Sequence, residues 1–151
     1  MREKIIAAGI MIVCPETRTQ LLLKRQKTSD YANYWTSPGG TFDDEDDNPK
    51  TTAIREFKEE TGFKGKLSIS NKPIVIEKNN HIDFYLYLGF VTKEFKPDLK
   101  GECFSGQEHQ EYAWFDLDFV PDKIMSSNLK AITNKINIIN RSIDKIKKGE
   151  L

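Results

Sequence analysis

The chain has 151 residues, 38% hydrophobic and 30% charged, and Lys plus Arg equals Asp plus Glu at 23 each. That composition is globular rather than disordered, and the length suffices for one domain with a real core. Balanced charge leaves no global field to draw the chain to nucleic acid or an anionic membrane, and no stretch approaches the ~20 apolar residues that span a bilayer.

Taken in chain order, Ile5 to Val13 is a β-rich run containing Gly9, expected as a buried strand with a close backbone approach. The start, Met1-Arg2-Glu3-Lys4 and a short apolar run ending at Pro15, lacks a signal-peptide cleavage region, so a cytoplasmic location is expected. Cys14 and Cys103 lack metal-ligand spacing and are expected as buried thiols rather than a disulfide. After a turn at Pro15–Thr19, Gln20 to Gln26 forms a second strand, and Trp35 to Thr41 is short and extended. A helix follows over about 49–61. Leu67 to Glu77 and His81 to Thr92 read as paired strands joined through Lys78-Asn79-Asn80. The second alternates, with Ile82, Phe84, Leu86, Leu88 and Phe90 on one face and Asp83, Tyr85 and Tyr87 on the other. Glu111 to Leu117 gives a further strand. Leu129, Ile132, Ile136, Ile139, Ile143 and Ile146 then recur at steps of three and four, the stripe of an amphipathic helix over about 128–147. Packing on the protein's own sheet is the favoured use of that stripe, with its last turns as a dimer contact the alternative, so monomer and homodimer both stand. No repeat or linker divides the chain, which is read as a single α/β domain over 1–151.

The most informative segment runs from Gly39 to Phe63: a glycine turn, an acidic loop and a helix bearing Glu56, Glu59 and Glu60. Asn48 caps the first turn, Pro49 suits the first helical position, and Gly62 fits a left-handed stop with Phe63 as a hydrophobic anchor. Ala53, Ile54 and Phe57 form the face sent to the core. The three glutamates at i, i+3 and i+4 fall within an arc of about 100° on the neighbouring face, where like charges repel. A hard divalent cation resolves that repulsion, since Mg²⁺ favours a few carboxylates plus substrate phosphates. A solvated acidic helix face is the bland alternative.

Arg55-Glu56-Phe57-Lys58-Glu59-Glu60-Thr61-Gly62-Phe63 matches in full the second half of the Nudix box, and Trp35-Thr36-Ser37-Pro38-Gly39-Gly40 resembles that family's entry into it. Asp47 stands where the family usually has Glu, with seven residues between it and Arg55, and six residues rather than five separate it from Gly40. The chain therefore resembles the Nudix hydrolases, with the loop one residue long. The resemblance implies an α/β/α sandwich around a mixed sheet. It also implies Mg²⁺-dependent hydrolysis, with Mn²⁺ as a substitute, of the pyrophosphate bond in a nucleoside diphosphate linked to another group. It assigns Glu59 and Glu60 to metal binding, makes Glu56 a ligand or the base, and gives Arg55 the orienting of a helix glutamate. Within Gly106-Gln107-Glu108-His109-Gln110-Glu111-Tyr112-Ala113-Trp114-Phe115, Glu108 is the acid expected to complete the metal site or serve as base, with Glu111 behind it. His109 carries a shuttle reading and a plain loop-residue reading. Gly39, Gly40, Trp35 and Tyr85 are the expected substrate contacts. Adenine-containing substrates such as a dinucleoside polyphosphate or ADP-ribose are favoured slightly; a (d)NTP pyrophosphohydrolase and a nucleotide-sensing module without catalysis are the alternatives.

Overall fold

The structure is a computed structural model and describes residues 4–27, 30–99 and 109–149. Among these residues eight strands and two helices follow one another as β1 (Ile5–Cys14), β2 (Thr19–Arg25), β3 (Trp35–Thr36), β4 (Gly39–Thr41), α1 (Pro49–Thr61), β5 (Ser68–Ile69), β6 (Val75–Lys78), β7 (Ile82–Phe90), β8 (His109–Asp116) and α2 (Ser126–Lys147). All eight strands join one mixed sheet. Central β1 runs parallel to β7 over nine residue pairs from Ile5–Ile82 to Val13–Phe90. Its other edge is shared: Ala7 to Gly9 pair with β4, and Ile12 to Cys14 pair with β2. β2 leaves β1 at this point and continues against β8 and β3.

Both faces of β1 are covered, which is why it reads as a continuous apolar run rather than an alternating one. Ala8, Ile10, Ile12 and Cys14 join Ala53 and Phe57 of α1, whereas Met11 and Val13 join Ile132, Ile139 and Ile143 of α2. The two helices thus lie on opposite faces, giving the expected α/β/α sandwich. Each fully buried aliphatic or aromatic side chain contributes roughly 1.5–3 kcal/mol by leaving water. Gly9 fulfils the close-approach reading, since a Cβ there would stand 2.9 Å from the Pro38 carbonyl oxygen.

Three expectations need correction. The strand read over Leu67 to Glu77 is two pieces, β5 and β6. Ser70 turns its hydroxyl to the Lys72 carbonyl and Pro73 has no N–H to give, so the ladder breaks between them. Leu129 does not join the buried stripe of α2 but is 40% exposed, because Asn128, Ala131 and Ile132 face the sheet in that first turn. Ile54 is half-buried and outside both core clusters. Cys14 is a buried free thiol; Cys103 lies outside the described residues. Among the described residues no helix is long and apolar enough to cross a membrane.

Candidate active site

Helix α1 is placed by its caps and its apolar face. Asn48 Oδ1 accepts the Thr51 N–H at 3.0 Å, Pro49 opens the helix, and Gly62 closes it at φ 70° with its N–H on the Lys58 carbonyl. Phe57 is wholly buried and packs on Phe63, ring centroids 5.2 Å apart, so the helix cannot roll without exposing it. The glutamate face is thereby turned toward β4.

There the backbone of Gly39 and Gly40 meets the carboxylates. The Gly39 N–H donates to Glu60 Oε1 at 2.8 Å. A Cβ on Gly40 would fall directly on the Glu56 carboxylate, so any larger residue there would displace that carboxylate from its present position. Glu60 is buried on this wall, and its other oxygen, Oε2, lies 3.3 Å from His109 Nδ1 at the start of β8. Glu56 and Glu59 are more open, with side chains 16% and 39% exposed.

Arg55 organises the rest. Its Nη1 donates to Glu56 Oε1 at 3.1 Å and to both oxygens of Glu59 at 3.2 and 3.3 Å, so one guanidinium nitrogen stands between two of the three carboxylates. Its Nε and Nη2 donate to Asp46 Oδ1 and Oδ2 at 3.0 and 2.9 Å, a two-point pairing, and Nη2 also reaches the Thr41 carbonyl at 3.1 Å. The hydrogen bonds from Arg55 hold the Asp46 carboxyl far below the ordinary carboxylate range against the opposing effect of burial. The same pairing raises Arg55, which stays charged.

Asp46, not Asp47, is therefore the acid that serves the box, and this corrects the count from Arg55. Asp47 is exposed, whereas Asp46 is buried and also accepts the Thr52 hydroxyl at 2.9 Å and the Asp43 N–H at 3.0 Å. Five residues separate Gly40 from Asp46, so the family spacing holds from the glycine side. The extra residue falls after the acid, where Asp47 and Asn48 lead into the helix. Asp46 N–H to the Asp43 carbonyl, 2.9 Å, closes the turn that makes this possible.

The other candidates are spread more widely. Trp35 packs edge-on against Phe115 at 4.9 Å beside the α2-side core, and its backbone is tied to Lys123 and Met125. Tyr85 packs at the α1-side core, with Lys78 Nζ 5.9 Å from its ring centroid. Burial foremost, with Tyr85 adding to it, raises the neighbouring Tyr87 hydroxyl above its usual pKa. Glu111 pairs across the β2–β8 ladder with Lys24 at 3.8 Å, and Glu108 lies outside the described residues. Among the described residues of this segment, His109 reaches Glu60 of α1. His109 stands at the head of β8 rather than in a loop, a placement that depends on the long-range pairing of Arg25 with His109.

As to a metal, the donor set is all carboxylate oxygen, which suits a hard divalent cation. Glu56 and Glu59 already converge on one positive nitrogen, and the Gly40 backbone leaves the cradle for Glu56 open. Among the described residues no three His, Cys, Asp or Glu side chains are gathered closely enough to enclose an ion. The residues fit the chemistry of a divalent cation.

This helix, its glycine wall and its two-point Arg–Asp clasp agree with the family comparison, in which the NUDIX domain matches residues 3–135. The chain belongs to the Nudix hydrolase family. It is 31% identical over 121 residues to dihydroneopterin triphosphate diphosphatase of Haemophilus influenzae, covering 80% of this chain and 67% of that protein. It is also 31% identical over 124 residues to CMP-5'-(N-acetyl-N-hydroxy-3-aminopropyl)phosphonate hydrolase of Streptomyces rubellomurinus, a match that spans 79% of this chain but only 55% of that relative. A MutT NUDIX hydrolase from Burkholderia pseudomallei has the same fold, with a TM-score of 0.67, 22% identity, and 87% and 97% of the two chains covered.

Proposed function

We propose that this chain hydrolyses a pyrophosphate bond in a nucleoside diphosphate joined to a further group, with Mg²⁺ as cofactor and Mn²⁺ as a substitute. The observation that carries this reading is that the α1 glutamates line one wall, Glu60 on the Gly39 N–H and Glu56 against Gly40, with Glu56 and Glu59 sharing the Arg55 guanidinium. Water attacks one phosphorus of the P–O–P link, the bridging oxygen leaves with the other phosphoryl group, and two phosphorylated products result. Glu56, Glu59 and Glu60 would hold the cation, which when bound supplies Lewis acidity toward the phosphoryl oxygens.

The protein's own part is orientation and proton removal. Arg55 keeps the glutamates in place, and its hold on Asp46 and the Thr41 carbonyl anchors it independently of them. Glu56 is the better base of the α1 glutamates by position, since it faces the Gly40 backbone while remaining partly open to solvent. Glu108 is the alternative base or further ligand. Tyr85 and Trp35 are proposed contacts for the nucleoside. An adenine-containing substrate, a dinucleoside polyphosphate or ADP-ribose, is the first expectation, and a (d)NTP is the second. The activities of the two relatives add dihydroneopterin triphosphate and CMP-linked phosphonates to the set worth testing. We place the protein in the cytoplasm, as a monomer or homodimer without nucleic-acid or membrane partners.

The test is a phosphate-release screen over these substrates with Mg²⁺ or Mn²⁺, comparing the wild type with Glu59→Gln. Activity should require the metal and fall at least about 100-fold in the variant, with an unchanged circular dichroism spectrum. Retained activity in Glu59→Gln would sink the assignment. No hydrolysis of any substrate by the wild type, together with nucleotide binding, would favour the sensing module instead.

A further inference from the structure

Glu60 is held by protein at both of its carboxylate oxygens. Its side chain is only 2% exposed, Oε1 accepts the Gly39 N–H at 2.8 Å, and Oε2 faces His109 Nδ1 at 3.3 Å. His109 is itself buried, its side chain 6% exposed, and belongs to β8, a strand on the far side of β2 from β1. Two elements distant in sequence, β4 and β8, therefore grip one carboxylate of α1. A buried carboxylate with a single partner would keep rotameric freedom about its last bonds, whereas partners on both oxygens fix the carboxylate plane. Groups that hold a ligating carboxylate from behind typically alter metal affinity 10–100-fold when they are removed.

We propose that His109 is a positioning residue: through Nδ1 it fixes the orientation of Glu60 and so sets the affinity of the α1 carboxylates for a divalent cation. The proposal rests on the reading of those carboxylates as a metal site. It needs a nitrogen donor at the Nδ1 position and nothing from Nε2. Asn carries an amide nitrogen at nearly the reach of Nδ1, whereas the longer Gln carries its own nearer the reach of Nε2. Leu fills similar space with no donor at all.

The experiment measures Mn²⁺ binding to the purified, substrate-free protein by electron paramagnetic resonance, alongside the Mg²⁺ concentration that half-saturates hydrolysis. His109→Leu should weaken Mn²⁺ binding by at least about 10-fold, and His109→Asn should recover most of that loss. Half-saturating Mg²⁺ should rise in the same order while the rate at saturating Mg²⁺ changes much less. If His109→Leu does not fold, His109→Gln replaces it and should bind Mn²⁺ more weakly than His109→Asn. Wild-type affinity in His109→Leu, or equal affinity in the Asn and Gln variants, overturns the inference and leaves the metal site standing. A wild-type protein that binds no Mn²⁺ overturns both.

Discussion

A single carboxylate, Asp46, decides whether the box is rigid. Buried and paired at two points with Arg55, it ties the acidic loop to the helix that carries the glutamates. Removing its charge leaves Arg55 with Glu56, Glu59 and the Thr41 carbonyl, so Asp46→Asn should fold but lose about 2 kcal/mol of stability, the scale of a charge-assisted hydrogen bond. The pH dependence has a definite sign. Asp46 has a folded pKa far below its unfolded value of about 3.9, so its contribution is complete above that value and is lost as pH falls toward the folded one. Arg55 remains charged throughout. The stability gap between wild type and Asp46→Asn, measured by urea unfolding, should thus be constant from pH 8 to about 5 and narrow below about 4. A gap that widens in acid contradicts the pairing. Counting back from Arg55 pointed to Asp47 because the extra loop residue was assigned before the acid. Only the Asp43–Asp46 turn places it after.

Strand β2 contains the least satisfied group among the elements described. Gln20 is wholly buried, yet neither its amide oxygen nor its nitrogen has a hydrogen-bond partner. It stands between Val13 and Phe115 on the neighbouring strands and shares its face with Leu22, a period-two position directed at the α2 core. Leaving a buried amide unmade costs about 1–3 kcal/mol, so Gln20→Met should raise stability by about 1 kcal/mol without altering the denaturant slope. Unchanged or lower stability would show that the amide has a role the packing does not reveal. Local signals served well where an element is specified by its own residues. Asn48, Pro49, Gly62 and the apolar face of α1 gave that helix to the residue, and strict alternation placed both faces of β7 correctly. They served less well where partners are remote. The entry of His109 into β8 depends on β2, far away in the chain, whereas the break at Ser70–Pro73 was written locally in Pro73.

At the scale of the molecule, the sheet is clamped between two helices with separable tasks. α1 presents the carboxylates, while α2 supports the opposite face along Ile132, Ile139 and Ile143. The first turn of α2 does something more. Asn128 donates to the Ser37 hydroxyl and accepts the Ser37 N–H at 3.3 Å, and the Met125 N–H meets the Trp35 carbonyl at 3.0 Å. These bonds fix the extended segment that continues into Gly39 and Gly40, the wall against which Glu56 and Glu60 rest. The two ends of α2 should therefore fail differently. Ile143→Ala removes a fully buried side chain far along the helix and should cost about 2–5 kcal/mol with kcat little changed below the new melting temperature. Asn128→Ala should cost less stability but lower kcat/KM about 10-fold or more, because it loosens the glycine wall. Thermal melts paired with initial rates separate the two effects. Equal rate losses in both variants would mean that α2 acts only through global stability and that the Asn128–Ser37 link does not reach the site.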